Sequence, residues 1–476
     1  MYRVRIEDPQ RPEFHFLPPK NWMNDPNGLI QWQGIYHMFY QCNPQAAVWG
    51  DIHWGHATSR DLVHWTDLPI ALAPSPDSPD QEGCWSGCTV NEAGVPTILY
   101  TGIQNGEQRP CLATSHDGLL TWQKYTGNPV IRDTPAGLEV VGFRDHAVWR
   151  EADGWRQLIG SGITGVGGTV FLYRSSDLID WEYLGPMLVG DEHQVEGLNL
   201  GAMWECPAFF PLGDRHVLVL SVLEHNQTMC SAVLTGNYRG DRFIHNTIRK
   251  LDFGNRYYYA PQSMQDEQGR QLIWGWIQEG RSQAAQVAAG WSGVMSLPRI
   301  LTSAADGLVH QEFAPELQSL RRGQMQIGET GLSAGDSLAA ASGDQLEIRA
   351  GFQAHDQGQA GLKLRRSPDG AEETLLWIDW ERQELVVDLA AASLDPEADK
   401  TTLRGDIQPS ETGAVNLHAY LDHSVLEVIA NGVTAITARI YPTRPDSLGV
   451  EVFASHGKVN LKRMEVYHLA SIWSPE

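Results

Sequence analysis

One short pattern recurs three times at an almost constant interval: Ser59-Arg-Asp-Leu-Val-His-Trp65, Ser115-His-Asp-Gly-Leu-Leu-Thr-Trp122 and Ser175-Ser-Asp-Leu-Ile-Asp-Trp181. The tryptophans stand 57 and 59 residues apart, a period somewhat longer than that of the common four-stranded blade repeats. A Ser-x-Asp turn suits a hairpin, because short polar side chains bond their own backbone, and a Trp just after it can plug the gap between adjacent sheets. Repeated radially, such a unit makes a β-propeller, and about five units fit before residue 320. The competing reading is three similar hairpins in some other β fold.

The rest of the chain agrees with an all-β protein. It has 17 Trp and 47 Gly, with few long stretches of 3.6-residue apolar periodicity, which favours many short strands. Trp274-Gly-Trp276 and Trp291-Ser-Gly are expected in the last blade. After Phe313-Ala-Pro-Glu-Leu-Gln-Ser-Leu-Arg-Arg322 the texture changes: Trp becomes rare, and Leu346, Ile348, Ala350 and Phe352 alternate with polar neighbours. Val425 to Ala430, Asn431-Gly432 and Val433 to Ile440 read as a hairpin, since Asn-Gly supplies the positive φ values of a type I′ turn. Val450 to Ser455, His456-Gly457 and Val459 to Tyr467 read as a second hairpin. The expectation is a propeller over residues 1–322 and a β-sandwich over residues 323–476.

Composition narrows the function. With 58 acidic against 35 basic residues and a formal charge of −23, the chain would repel a phosphate backbone, so nucleic acid is not an expected partner. No apolar run approaches the roughly 18 residues of a spanning helix, and the opening MYRVRIEDPQRPEFHF lacks the apolar stretch of a secretory signal. The expected location is the cytoplasm, with no membrane partner. Six cysteines in so long a chain do not make a disulfide framework. Cys84 and Cys88 form one close pair, but no second Cys or His pair completes a zinc pattern, so no metal is expected.

Three segments on different blades carry carboxylates that a propeller could bring to its central channel: Trp22-Met-Asn-Asp25-Pro-Asn-Gly28, Phe143-Arg-Asp145-His146 and Trp204-Glu205-Cys-Pro207. Each also has an ordinary structural explanation. Asp-Pro-Asn-Gly makes a turn by itself, and Arg144 beside Asp145 could be a structural ion pair. Glu205 stands between Trp204 and Cys206-Pro207, an apolar setting expected to raise its pKa, whereas Asp25, bracketed by Asn24 and Asn27, is expected to stay ionised.

These three segments, in this order, resemble the motif set of glycoside hydrolase family 32, the invertases and other β-fructofuranosidases. Phe39-Tyr-Gln-Cys-Asn-Pro44, Trp49-Gly50, His53-Trp-Gly-His-Ala57, Trp85-Ser-Gly87 and Tyr259-Ala-Pro-Gln262 extend the likeness over most of residues 14 to 300. The resemblance implies a five-bladed propeller joined to a β-sandwich, with Asp25 as nucleophile, Glu205 as general acid/base and Asp145 as transition-state stabiliser. It also implies Arg144 alongside Asp145 at the sugar's hydroxyls. Asn24, Gln41 and Ser86 can exchange hydrogen bonds with sugar hydroxyls, and Trp22, Trp49 and Trp85 offer flat faces to the ring. No cofactor is needed, because side chains do both the proton transfer and the attack.

Two positions depart from the family's pattern. His146 stands where the Arg-Asp-Pro box has proline, which frees a backbone N–H and relaxes φ; a satisfied structural histidine is its ordinary reading. Cys42 follows Gln41 where the family often has an aromatic residue. The expected activity is retaining hydrolysis of sucrose and short β-fructosides, with a small sugar as partner and a homodimer as the assembly considered. Within the same chemistry lie fructan hydrolysis, fructosyl transfer and sucrose-6-phosphate hydrolysis. More distant alternatives are an inverting arabinan-type propeller hydrolase and a sugar-binding propeller without activity.

Overall fold

A computed structural model describes residues 6–190, 198–354 and 357–473. The opening MYRVR, on which the reading of the chain's start partly rests, and the last three residues of the second unit lie outside them. The chain is nearly all strand, and its first part forms five sheets arranged as the blades of a propeller. The innermost strands are Asn21–Trp32, Gly83–Glu92, Val140–Glu151, Met203–Leu212 and Tyr259–Gln265, for blades I to V. Each is followed by antiparallel neighbours stepping outward, so blades II to IV run in simple sequence order.

The Ser-x-Asp repeat joins the third and outermost strands of blades I, II and III. In each copy the serine hydroxyl bonds the aspartate at 3.0 Å: Ser59 to Asp61, Ser115 to Asp117 and Ser175 to Asp177. The tight bend forces the following leucine into the left-handed region, with φ of 64° at Leu62, 66° at Leu119 and 68° at Leu178. That conformation is unfavourable for a leucine, and full burial of all three side chains offsets it. The tryptophans lie between sheets as expected. Trp122 of blade II meets Phe39 of blade I edge-on, with centroids 5.6 Å apart. Trp181 of blade III packs in a cluster with Val90, Leu99 and Leu112 of blade II.

Trp291-Ser-Gly does not sit wholly in the last blade. Trp291 and Ser292 pair in parallel with Asn21 and Trp22 of blade I, while Val294 and Met295 pair with Ile277 and Trp276 of blade V. This segment therefore fastens the last blade to the first and closes the ring.

The second unit is a β-sandwich. The strand Arg321–Ile327 already pairs with its central strand, so the expected division after residue 322 falls inside a strand, and the chain leaves the propeller through the short 3-10 helix Pro315–Leu320. The Asn431-Gly432 hairpin is present, with φ of 48° and 73° at those residues and the Val433 N–H donating to Ala430 O at 3.0 Å. The second expected hairpin is absent. Residues Gly449–Leu469 form one strand of 21 residues with a bulge at Ser455, and Gly457, at φ 69°, lies within the strand rather than in a turn. Up to Gly457 the strand pairs with Ser337–Ser342 and Gly358–Arg366; beyond it, with Gln345–Gln353 and Thr330–Ser333. One strand thus serves both layers, and Leu346, Ile348 and Phe352 of one meet Leu362, Leu376 and Ile378 of the other.

The two units share a buried charged seam. Arg299 of blade V, fully buried, donates to Asp252 Oδ2 at 2.9 Å and to Thr437 Oγ1 at 2.8 Å, and pairs with Glu427 of the sandwich. His15 lies between Asp422 at 2.8 Å and Glu427 at 3.1 Å. Burial opposes a charge on His15, but the two carboxylates outweigh it and raise its pKa. Removing one partner of such a network leaves an uncompensated charge, so Glu427→Ala should destabilise the protein by about 3–5 kcal/mol. Chemical denaturation checks this, and a loss below about 1 kcal/mol would show the seam to be energetically neutral.

Candidate active site

Every innermost strand breaks its pairing register at the same level of the channel. The shifts fall between Met23 and Pro26, Trp85 and Gly87, Arg144 and His146, Glu205 and Ala208, and Tyr259 and Gln262. A β-bulge re-aims a side chain that would otherwise follow the strand's alternation. Three of the bulges hold non-glycine residues at positive φ: Asp145 at 62°, Cys206 at 47° and Ala260 at 49°. Each such residue costs of order 1–3 kcal/mol and persists only where its surroundings over-determine it. The five bulges bring Asp25, Ser86, Asp145, Glu205 and Tyr259 together from all five blades.

Asp25 is the most heavily supported. Its Oδ2 accepts from Ser86 Oγ at 2.6 Å, Gln41 Nε2 at 3.2 Å and the Cys206 thiol at 3.4 Å, and its Oδ1 accepts from Asn24 Nδ2 at 3.1 Å. Asn24 Oδ1 accepts in turn from Trp22 Nε1 at 2.8 Å. Asn24, Gln41 and Ser86, expected at sugar hydroxyls, are thus engaged with Asp25, and Ser86 is fully buried.

Asp145 Oδ2 accepts from the Cys206 backbone N–H at 2.9 Å and lies 3.3 Å from its sulfur, whose single proton is within reach of both aspartates. Cys206 therefore bridges the two aspartates. Burial and the charge of Glu205 raise the pKa of Asp25 to about 6, against the opposing hydrogen bond from Ser86. Burial raises that of Asp145 to about 7; Arg144 opposes this, while Glu205 and Asp25 add to it.

Glu205 overturns the expectation of an apolar setting. Its Oε1 accepts from Arg144 Nε at 3.0 Å and Nη2 at 2.6 Å, and its Oε2 from the Tyr259 hydroxyl at 2.6 Å. The apolar neighbours in sequence point elsewhere: Trp204 is fully buried beneath the strand and donates to Leu200 O. Asp25 likewise differs from its expected polar turn, being buried among its donors. Arg144 pairs with Glu205 rather than with its neighbour Asp145, and Gln108 Oε1 holds its Nη1 at 3.1 Å. At the rim, Trp49 is 56% exposed and meets Trp85 edge-on at 5.6 Å. The Arg144 guanidinium lies 5.9 Å from the Trp85 ring, and Trp22 meets Trp276 edge-on at 5.6 Å.

The sequence pointed to Asp25, Asp145, Glu205 and Arg144, and the structure brings all four together. Tyr259 and Cys206 lie in motifs already noted but were not singled out, while Thr101 and Gln108 carry no signal in their local sequence. All six cysteines are free thiols. Among the described residues no cluster of His, Cys, Asp and Glu could hold a metal ion.

Comparison with known proteins assigns this propeller and sandwich to the glycoside hydrolases. The sequence model of the glycosyl hydrolases family 32 N-terminal domain matches residues 15–312, and that of the family 32 C-terminal domain matches residues 316–468. The chain belongs to glycoside hydrolase family 32. It is 35% identical to a sucrose-6-phosphate hydrolase of Zymomonas mobilis, covering 94% of this chain and 90% of that protein. It is 34% identical to a raffinose invertase of Escherichia coli, covering 94% and 92%. Fructan 1-exohydrolase IIa from Cichorium intybus superposes with a TM-score of 0.88 at 28% identity, over 98% of both chains.

The raised pKa of Asp25 makes a testable statement about stability. The folded state binds this proton more tightly than the unfolded chain, so the carboxyl's contribution is full below about pH 4 and is lost as pH rises through about 6. At pH 8 the ionised group therefore costs the fold roughly 1–3 kcal/mol. Asp25→Asn should melt higher than the wild type at pH 8 and show no such advantage at pH 4. An offset equal at both pH values would contradict this environment for Asp25.

Proposed function

We propose that this enzyme is a retaining β-fructofuranosidase that hydrolyses sucrose and short β-fructosides. The observation that carries the reading is the convergence of Asp25 and Asp145 on one thiol, Cys206, with Glu205 the preceding residue on the same bulge. Retaining cleavage needs one ionised carboxylate to attack the anomeric carbon and one acid to assist the leaving oxygen. Asp25 Oδ2 is tied by three donors, while Oδ1 has Asn24 alone, which leaves Oδ1 for the attack on C2 of the fructosyl unit.

Glu205 protonates the departing oxygen and then takes a proton from the water that releases fructose. Tyr259 and Arg144 orient it. Asp145, held by the Cys206 N–H, faces the positive charge that develops on the ring. The attack requires Asp25 to be ionised. The kcat/KM profile should therefore fall as pH drops through about 6, as Asp25 takes up its proton.

A phosphorylated substrate is the second reading, favoured by the names of the sucrose-6-phosphate hydrolases among the relatives. The fructan exohydrolase relatives, one from Beta vulgaris at 33% identity, favour fructans. Rates on sucrose, sucrose-6-phosphate, kestose, inulin and levan separate these readings. Equimolar glucose and fructose from sucrose at the highest kcat/KM is the expected result, and a clear preference for the phosphorylated sugar or a polymer would replace it. Glu205→Ala should lower kcat on sucrose at least about 100-fold, with a much smaller loss on a fructoside whose leaving group needs no proton. Near-normal sucrose cleavage by that variant would overturn the assignment.

A further inference from the structure

Residue 146, where the chain departs from the Arg-Asp-Pro box, is the hub of a buried hydrogen-bond relay. His146 has no exposed surface. Its Nδ1 lies 3.0 Å from Gln157 Nε2 and its Nε2 3.1 Å from Thr101 Oγ1. Thr101, also fully buried, lies 3.0 Å from the Ser86 carbonyl oxygen and accepts the Asp145 backbone N–H at 3.0 Å. The hydroxyl of the same Ser86 donates to Asp25 Oδ2 at 2.6 Å. One threonine hydroxyl thus ties two of the channel's bulges together, and His146 is its partner on the far side.

With the Gln157 amide nitrogen facing the ring, one order of donors satisfies the contacts among Gln157, His146, Thr101 and Ser86. Gln157 donates to Nδ1, the Nε2–H donates to Thr101, and the threonine proton goes to the Ser86 carbonyl. The reverse tautomer would take the threonine's single proton and leave the Ser86 carbonyl facing a lone pair at 3.0 Å. Burial pushes the pKa of His146 down to about 3, so the ring is neutral throughout the working range. A proline here would bring no side-chain donor, and a phenyl ring would fill the space without one.

We propose that neutral His146 is a positioning residue: acting through Thr101, it holds the Asp145 and Ser86 bulges, and hence Asp25, in reacting geometry. This rests on the roles given above to Asp25 and Asp145. A histidine that merely fills the core would affect stability alone; one that aims the carboxylates affects turnover in every folded molecule.

The test compares His146→Phe, His146→Gln, Thr101→Val, Thr101→Ser and the His146→Phe/Thr101→Val double variant on sucrose, with Asp25→Asn as a control. Misplacing a reacting group by a fraction of an ångström to an ångström should lower kcat roughly 10- to 100-fold in the Phe and Val variants, with KM within about threefold of wild type. The double variant should be no slower than the worse single one, because both break one chain. Gln and Ser, which keep the donor and the hydroxyl, should recover most of the rate. The imidazole nitrogen spectrum should show the neutral Nε2–H form. Wild-type kcat in folded His146→Phe, or multiplicative losses in the double variant, would overturn the proposal. Should His146→Phe fail to fold, Thr101→Val, which keeps the shape, decides by the same kcat criterion. An Asp25→Asn variant that still turns over would instead bring down the underlying reading of the site.

Discussion

Three carboxylates crowd the channel of the propeller, and their burial together with their mutual repulsion is the constraint that shapes the site. Burial and the charge of Glu205 raise Asp25, and Glu205 and Asp25 together add to the rise of Asp145. Left alone such groups would separate or take up protons. The fold holds them by other means: one guanidinium, Arg144, on Glu205, a thiol and a backbone N–H of Cys206 shared between the aspartates, and a ring of amide and hydroxyl donors around Asp25. Because these donors are fixed in place, they are already oriented when charge develops on a bound sugar.

Holding them demands rigidity further out. Each innermost strand bulges at the same level, and three of the bulges keep a non-glycine residue at positive φ. Those bends are braced by the antiparallel strands stacked outside them in each blade, and the ring is closed by Trp291 and Ser292 on the first blade. The sandwich adds to the frame through the Arg299, Asp252 and Glu427 seam, on the side of the propeller served by blade V. Stability built outside the channel is what allows an unfavourable electrostatic arrangement within it.

Local features of the sequence carried much of this, and failed where partners come from afar. The Ser-x-Asp repeat gave the blade period because its signal lies within seven or eight residues. It did not show that the leucine after the aspartate takes the strained conformation. Asn431-Gly432 was legible as a turn because two successive positive φ values have few other uses. His456-Gly457 was misread, since one glycine at positive φ can sit inside a continuous strand as well as in a turn, and only the pairing of both halves of the strand with different sheets decides between them. Glu205 was misread for a related reason: on a strand, adjacent residues face opposite ways, and its real neighbours, Arg144 and Tyr259, come from other blades. Thr101 and Gln108 sit in ordinary strand sequence and become visible only when blades II and III are side by side.

The central claim is that Asp25 becomes covalently attached to the fructosyl unit, and trapping that adduct tests it most directly. Turnover of sucrose is quenched in acid within the first catalytic cycles, the protein is digested, and the peptides are read by mass spectrometry. The account predicts the added mass of one anhydro-hexose on the peptide bearing Asp25, at Asp25 itself, and its absence in Asp25→Asn. A label on another carboxylate, or no adduct together with an inverted anomeric product, would contradict it.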